Sequence, residues 1–236
     1  MFGTTEMIHM KITWLGHAAF LIEGRNKVLV DPFLTGNPVA AVSADDVDCD
    51  IICITHGHSD HLGDAEGIAR RTGAVIAAIT EMSDYFGKMG FKTVDFNIGG
   101  TAKILDTNIT LVPAFHSSSI SAPGLEFSAA IPVGMVIESG KVAYHAGDTA
   151  VFGDMKIIGD LYKPDVAMLP IGGYYTMDIR QAALAVKLIR PKTAIPMHFN
   201  TFPPITADPE KFAELVKRQS KGTKVVILKP GESLDL

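Results

Sequence analysis

The chain has 236 residues, 47% hydrophobic and 20% charged, with a formal net charge of -5. That composition suits a globular protein with a substantial core, in one large domain or two small ones. Scattered Lys and Arg argue against a nucleic-acid partner, which needs a basic surface, and no apolar run approaches the roughly 20 residues that span a bilayer.

The N-terminus, MFGTTEMIHM, carries neither a basic leader nor an apolar signal core, so a cytoplasmic location is expected. Residues 1–9 read as a loose extension with His9 exposed, and residues 10–236 as a single domain. Apolar runs at 11–15, 18–22 and 27–30, broken by Gly16-His17 and by residues 23–26, predict antiparallel strands joined by tight turns. Residues 50–55 form a β-branched apolar run that reads as a buried strand. A helix is predicted over 62–71, a strand over 74–78 and a helix over 81–89. Strands follow at 102–105, 109–112, 126–132, 135–138 and 142–144.

In the last third, residues 165–169 read as a strand. Residues 178–189 read as an amphipathic helix with Ile179, Ala182, Ala183, Val186 and Ile189 on one face. A strand at 194–197, a helix at 209–218 opened by Pro209 and a final strand at 225–228 complete the chain. No repeat, linker or low-complexity segment is visible at residue level. The expected architecture is two mixed sheets packed face to face with helices outside.

Cys49 and Cys53 are the only cysteines. Two are too few for a disulfide framework, and a lone C-x3-C is a poor zinc signal, so both read as buried small hydrophobes.

Residues 55–64, THGHSDHLGD, hold three histidines and two aspartates. In an extended loop His56 and His58 project the same way and can reach one ion. Asp60 and His61 follow the turn and point toward a second position. One tetrahedral ion cannot use all four side chains of so short a segment, so H-x-H-x-D-H implies two neighbouring ions. The plain alternative is a polar turn with Asp60 as a helix N-cap. Further ligands should come from strand ends. His116 follows the strand at 109–112, Asp148 sits in Gly-Asp-Thr after residues 142–146, and His198 follows the strand at 194–197.

T-H-x-H-x-D-H, a later lone His, G-D-T and a last lone His, in that order, resemble the metallo-β-lactamase superfamily. LGHAAF (15–20), DPFL (31–34), YHAGDT (144–149), LPIGG (169–173) and PMHFN (196–200) resemble the small metal-dependent hydrolases related to L-ascorbate-6-phosphate lactonase. The resemblance runs from Met10 to the end of the chain; it is specific for the superfamily and weak for substrate. It implies an α+β fold, a four-layer αββα sandwich. It implies one metal site of His56, His58 and His116, and a second of Asp60, His61 and His198, with Asp148 bridging them. Asp31 is implied to be an acceptor that holds the His-rich loop rather than a ligand. An Asp at position 60 matches hydrolytic members, whereas a Glu at 58 would have suggested a di-iron redox member. Two divalent ions per chain are expected, zinc first, with Mn, Ni, Co or Fe also suited to oxygen and imidazole ligands.

His17 lies at a strand end, as the ligands do, and is weighed between a buried structural histidine and a substrate contact. His145 reads as a packed neighbour of Asp148, and Asp64 as a helix cap or supporting partner. Tyr174, Tyr175, Asn200 and Thr201 are candidate substrate-wall residues. The expected activity is hydrolysis by a hydroxide shared between two ions, with Asp60 as the proton shuttle. Lactones, thioesters, amides and phosphodiesters suit that machinery, and the resemblance favours a small lactone or phosphorylated sugar acid. The alternatives are a phosphodiesterase of the same superfamily and a non-catalytic metal-binding or sensing protein. A ribonuclease is disfavoured because the 50 residues from Asp148 to His198 leave no room for an inserted domain and the charge is wrong for RNA. A β-lactamase is disfavoured by the missing export signal. A homo-oligomer is left open.

Overall fold

The computed structural model describes residues 9–120 and 130–236. Its strands are β1 (Lys11–Gly16), β2 (Ala19–Glu23), β3 (Lys27–Val30), β4 (Ile51–Cys53), β5 (Val75–Ile79), β6 (Thr93–Phe96) and β7 (Thr101–Ile104). They continue with β8 (Thr107–Pro113), β9 (Val133–Glu138), β10 (Val142–His145), β11 (Val166–Pro170), β12 (Thr193–Met197), β13 (Lys224–Val225) and β14 (Ser233–Asp235). The helices are α1 (Ser59–Leu62), α2 (Ala65–Thr72), α3 (Thr80–Lys88), α4 (Met155–Tyr162), α5 (Ile179–Ile189) and α6 (Pro209–Gln219).

Two seven-stranded sheets form, ordered β14-β1-β2-β3-β4-β5-β6 and β13-β12-β11-β10-β9-β8-β7. In the first, β14, β1, β2 and β3 pair antiparallel, and β3 to β6 pair parallel. The second repeats that series, antiparallel from β7 to β10 and parallel from β10 to β13. Antiparallel neighbours need only a turn, whereas parallel neighbours need a crossover, which helices supply on the outer face. Hence α1 and α2 lie between β4 and β5, α3 between β5 and β6, and α4, α5 and α6 in the successive crossovers from β10 to β13. The result is an αββα sandwich. One hydrophobic cluster runs through the layers and includes Phe20, Leu29, Ile52, Ile137, Tyr144 and Met168. Ile51, Ile52 and Cys53 are all fully buried, because a central parallel strand is covered on both faces and needs an unbroken apolar run.

Several boundaries differ from expectation. The helix predicted over 62–71 is broken at Gly63, whose φ is +43°. A Cβ there would lie 2.3 Å from Pro32 O, so the break is where the chain following β3 presses in. Asp64 then accepts from Leu34 N and Thr35 N at 3.0 and 2.8 Å and makes no cap bond to α2. Of the strand predicted at 126–132, residues 126–129 lie outside the described residues. Residues 130–132 are not in a strand, and β9 starts at Val133. The last predicted strand shrinks to β13, since Val226 N makes the final bond to Ala194 O before the chain turns at Gly231. The predicted extension, residues 1–8, also lies outside the described residues; His9 is exposed beside Asp235. Among the described residues no helix is long and apolar enough to cross a membrane.

Candidate metal centre

The residues that matter stand past the carboxyl ends of strands in both sheets, at one edge of the sandwich. His17 follows β1, Asp31 follows β3, and His56 and His58 follow β4, with Asp60 and His61 on α1. From the other sheet come His116 after β8, Asp148 after β10 and His198 after β12. The sheets are tied there by His198 N donating to His17 O at 3.0 Å and Val133 N donating to Thr55 O at 3.0 Å. His17, Asp31 and His198 each adopt a positive φ, 56°, 46° and 55°. Left-handed backbone costs a non-glycine residue energy and persists where the surroundings enforce it. Here it turns the chain sharply off the strand and aims the side chain inward.

Three groups of ligand-capable atoms result, each with its atoms within 4.8 Å of one another: His56, His58 and His116; His56, His61 and Asp148; and His17, Asp60, His61 and His198. Asp148 lies between them. Its Oδ1 is 3.3 Å from His61 Nε2, and its Oδ2 is 3.1 Å from His198 Nε2 and 3.6 Å from His116 Nε2.

Asp31 organises the donors from behind. Fully buried, it accepts from Thr55 N at 2.8 Å, Thr55 Oγ1 at 2.7 Å and His61 Nδ1 at 2.8 Å. The Thr55 hydroxyl gives its only hydrogen to that carboxylate, so it must accept from His56 Nδ1, 3.0 Å away. Both imidazoles are thereby held as Nδ1–H tautomers, with the Nε2 lone pairs facing the cluster.

Burial, followed by neighbouring imidazoles, holds His56 well below the usual histidine range. Burial also lowers His58 and His116. Neutral imidazole is the form that binds metal. Burial alone would lower His61 as well, but Asp148 and Asp31 on either side raise it well above that range. Burial would raise Asp148, yet His198 and His61 hold it well below the carboxylate range. The pocket thus favours positive charge beside Asp148. His61 Nε2, Asp148 Oδ1 and both ring nitrogens of His198 are buried without a hydrogen-bond partner. Buried polar atoms left unpaired are costly. Orphaned donors of this kind around a carboxylate fit divalent cations.

His17 is fully buried, so it stands behind Asp60 rather than on the open face. Its Nε2 donates to Asp60 Oδ2 at 3.1 Å, and its Nδ1 accepts from Thr201 Oγ1 at 2.8 Å. Burial lowers its pKa to about 4 despite the Asp60 bond. Burial would raise Asp60, but the His17 bond and the His61 charge lower it. His145 donates from Nε2 to Ala18 O and accepts at Nδ1 from Gly147 N, which fixes the turn that carries Asp148. Asn200 accepts from Ala207 N and shapes its own loop. Tyr174 and Tyr175 are exposed and pack edge to face at 4.8 Å. The sequence reading missed the aromatic rim given by Phe33, Phe115, Phe152 and Phe202; the only signal for it was their positions beside the motif residues.

A sandwich that gathers imidazoles and carboxylates from both sheets at one edge belongs to a metal-binding class. A sequence model described as beta-lactamase superfamily domain matches residues 11–198. Relatives from Archaeoglobus fulgidus and Methanopyrus kandleri, both named UPF0173 metal-dependent hydrolase, are 52% and 53% identical over 228 and 231 residues. Those matches cover 96% of this chain, and 99% and 100% of the relatives. The solved structure of Igni18, described as a novel metallo hydrolase from the hyperthermophilic archaeon Ignicoccus hospitalis, is 43% identical with a TM-score of 0.88. The match covers 97% of this chain and 98% of that one. The chain belongs to the beta-lactamase superfamily and, within it, to the UPF0173 metal-dependent hydrolase family. CmlA, a diiron β-hydroxylase from Streptomyces venezuelae, shares the fold at 17% identity and a TM-score of 0.72, over 99% of this chain and 55% of its own. One scaffold thus carries different chemistries, and the site must decide between them.

Proposed function

We propose that the chain is a binuclear metal-dependent hydrolase of carboxylic esters, lactones or related acyl compounds. The observation that carries this reading is the place of Asp148, a buried carboxylate facing His61, His116 and His198 within 3.1 to 3.6 Å while Oδ1 keeps no hydrogen-bond partner. His56, His58 and His116 would hold one ion, Asp60, His61 and His198 the other, and Asp148 would serve both. Zinc is the ion proposed first. Two such ions supply Lewis acidity and a water that ionises near neutral pH.

The chain's own groups do the rest. His58, Asp60 and His116 are the half-exposed members of the cluster, so reactants approach from their side while the other groups stay buried. A cluster open on one side favours an enzyme over a structural metal site, which would be closed. Asp60 keeps Oδ2 against His17 and is half-exposed on that open side. It accepts a proton from the attacking water and returns it to the leaving oxygen. The water oxygen joins the acyl carbon, the carbon–oxygen bond to the leaving group breaks, and a carboxylic acid and an alcohol result.

The test is a panel of lactones, thioesters, carboxylic esters and phosphodiesters offered to metal-stripped and zinc-reloaded protein. Acyl substrates should be hydrolysed only by the reloaded protein. Turnover restricted to phosphodiesters, or turnover unaffected by stripping, would overturn the proposal.

A further inference from the structure

Among the described residues the site edge is built from the loop segments 31–43, 54–64, 114–120, 130–132, 146–154, 171–178 and 198–208. None of the 21 Lys and Arg residues lies in any of them. The nearest basic residues along the chain are Lys156, Arg180 and Lys211. Lys156 stands on α4 and pairs with Asp160, while Arg180 and Lys211 stand on α5 and α6 beside a groove that also contains Asp178 and Asp208, and Lys211 pairs with Asp208.

The same loops hold every exposed aromatic side chain among the described residues. Phe115 is 60% exposed, Tyr174 72%, Tyr175 58% and Phe202 36%. Phe202 and the half-buried Phe33 pack 5.8 and 5.7 Å from the His17 ring, which in turn holds Asp60. On the other side Phe115, next to His116, packs on Phe152 at 4.9 Å. The tyrosine loop is bound to the Asp148 turn by Met177 N donating to Thr149 O at 3.1 Å. Exposed aromatics confined to the mouth of a polar site are placed to bury apolar surface.

Resting on the hydrolase reading above, we propose that the substrate is a neutral acyl compound whose non-reacting part is apolar, an aliphatic or aromatic ester or lactone. A phosphorylated or carboxylated substrate is the wrong class. Its distal anion would sit at the rim among aromatic and acidic groups, and the loops of that rim supply no guanidinium or ammonium to receive it. This departs from the phosphorylated sugar acid that the sequence resemblance favoured.

The experiment compares nitrophenyl acetate, butyrate and hexanoate with the anionic succinate half-ester on zinc-loaded protein. A methylene fully removed from water is worth up to about fourfold. Four of them at a half-open rim should raise kcat/KM by roughly tenfold or more from acetate to hexanoate. The succinate ester should fall at least about tenfold below the butyrate, its near isostere. Phe115→Ser and Tyr175→Ser should lower the hexanoate-to-acetate ratio. A flat chain-length profile, or succinate equal to butyrate, overturns the proposal. A change of oligomeric state in Phe115→Ser with an unchanged ratio also overturns it, and makes the rim a contact between copies.

Calorimetric binding of ketone analogues, with a methylene in place of the ester oxygen, keeps the two readings apart. Preference for the longer ketone without hydrolysis of any ester would sink the hydrolase reading and leave this one standing. Hydrolysis without that preference would do the reverse.

Discussion

Asp148 and Asp31 are both buried carboxylates, and their partners separate their roles. Asp31 has all its bonds satisfied by Thr55 and His61, whereas Asp148 keeps an orphaned oxygen among three imidazoles. Asp148→Ala is therefore expected to abolish tight binding of both ions. Asp31→Ala should weaken binding about 10–100-fold, the usual cost of losing a group that orients a ligand. Competition with a chromogenic chelator measures both, and equal losses would mean that Asp31 binds metal itself. Asp60→Asn keeps an oxygen donor but cannot take a proton. Turnover should fall by more than the roughly 10²–10⁴-fold typical of a lost general base, with at least one ion retained. Steady-state kinetics with elemental analysis checks this, and near-native turnover would hand the proton to another group. Four ligand-type residues within six positions made the His56–His61 cluster legible from sequence. The part played by His17 was not legible. It depends on a left-handed backbone and on Thr201, 184 positions away.

At the scale of elements, the strands with apolar cores were readable, whereas two of the half-exposed ones were not. Thr93–Phe96 and Ser233–Asp235 bury little, and their alternation is too short to stand out. α4, eight residues long, was missed. Once β10 and β11 are known to be parallel, a crossover there is required. Gly159 is explained by packing, since a Cβ on it would lie 2.1 Å from Ile189 O at the end of α5. Gly159→Ala should therefore cost about 1–3 kcal/mol, the range for overpacking. Gly153→Ala, with open space around it, should stay within about 0.5 kcal/mol. Urea denaturation of the two variants checks this, and equal stabilities would contradict the close α4–α5 contact.

Asp165 carries a pH-dependent part of the same layer. It accepts from Val142 N at 2.9 Å and pairs with Lys192 at 2.7 Å, which links β10, β11 and β12. Partial burial would raise its pKa, but the Lys192 and Val142 bonds outweigh it and hold the carboxyl low. A folded pKa below the unfolded value of about 3.9 stabilises the fold above that value and loses the contribution as the pH falls. The melting-temperature gap between wild type and Asp165→Asn should be full above about pH 5 and shrink as the pH falls through about 4 and below. A gap independent of pH would show that the charge contributes nothing.

The whole molecule is two sheets with the same series of pairings, joined so that their strand ends meet at one edge. No residue-level repeat betrays this, because each half needs only apolar strands and a crossover pattern, which many sequences satisfy. The overall architecture was legible because antiparallel runs precede strand–helix alternation twice along the chain. Backbone bonds from His198 to His17 and from Val133 to Thr55 tie the sheets at that edge, and Asp148 stands among the imidazoles gathered there. The most direct test is a zinc titration of the metal-stripped chain by calorimetry. Two equivalents should bind wild type, and Asp148→Ala should lose both. Saturation of the folded wild type at one equivalent, or none, would contradict the binuclear centre.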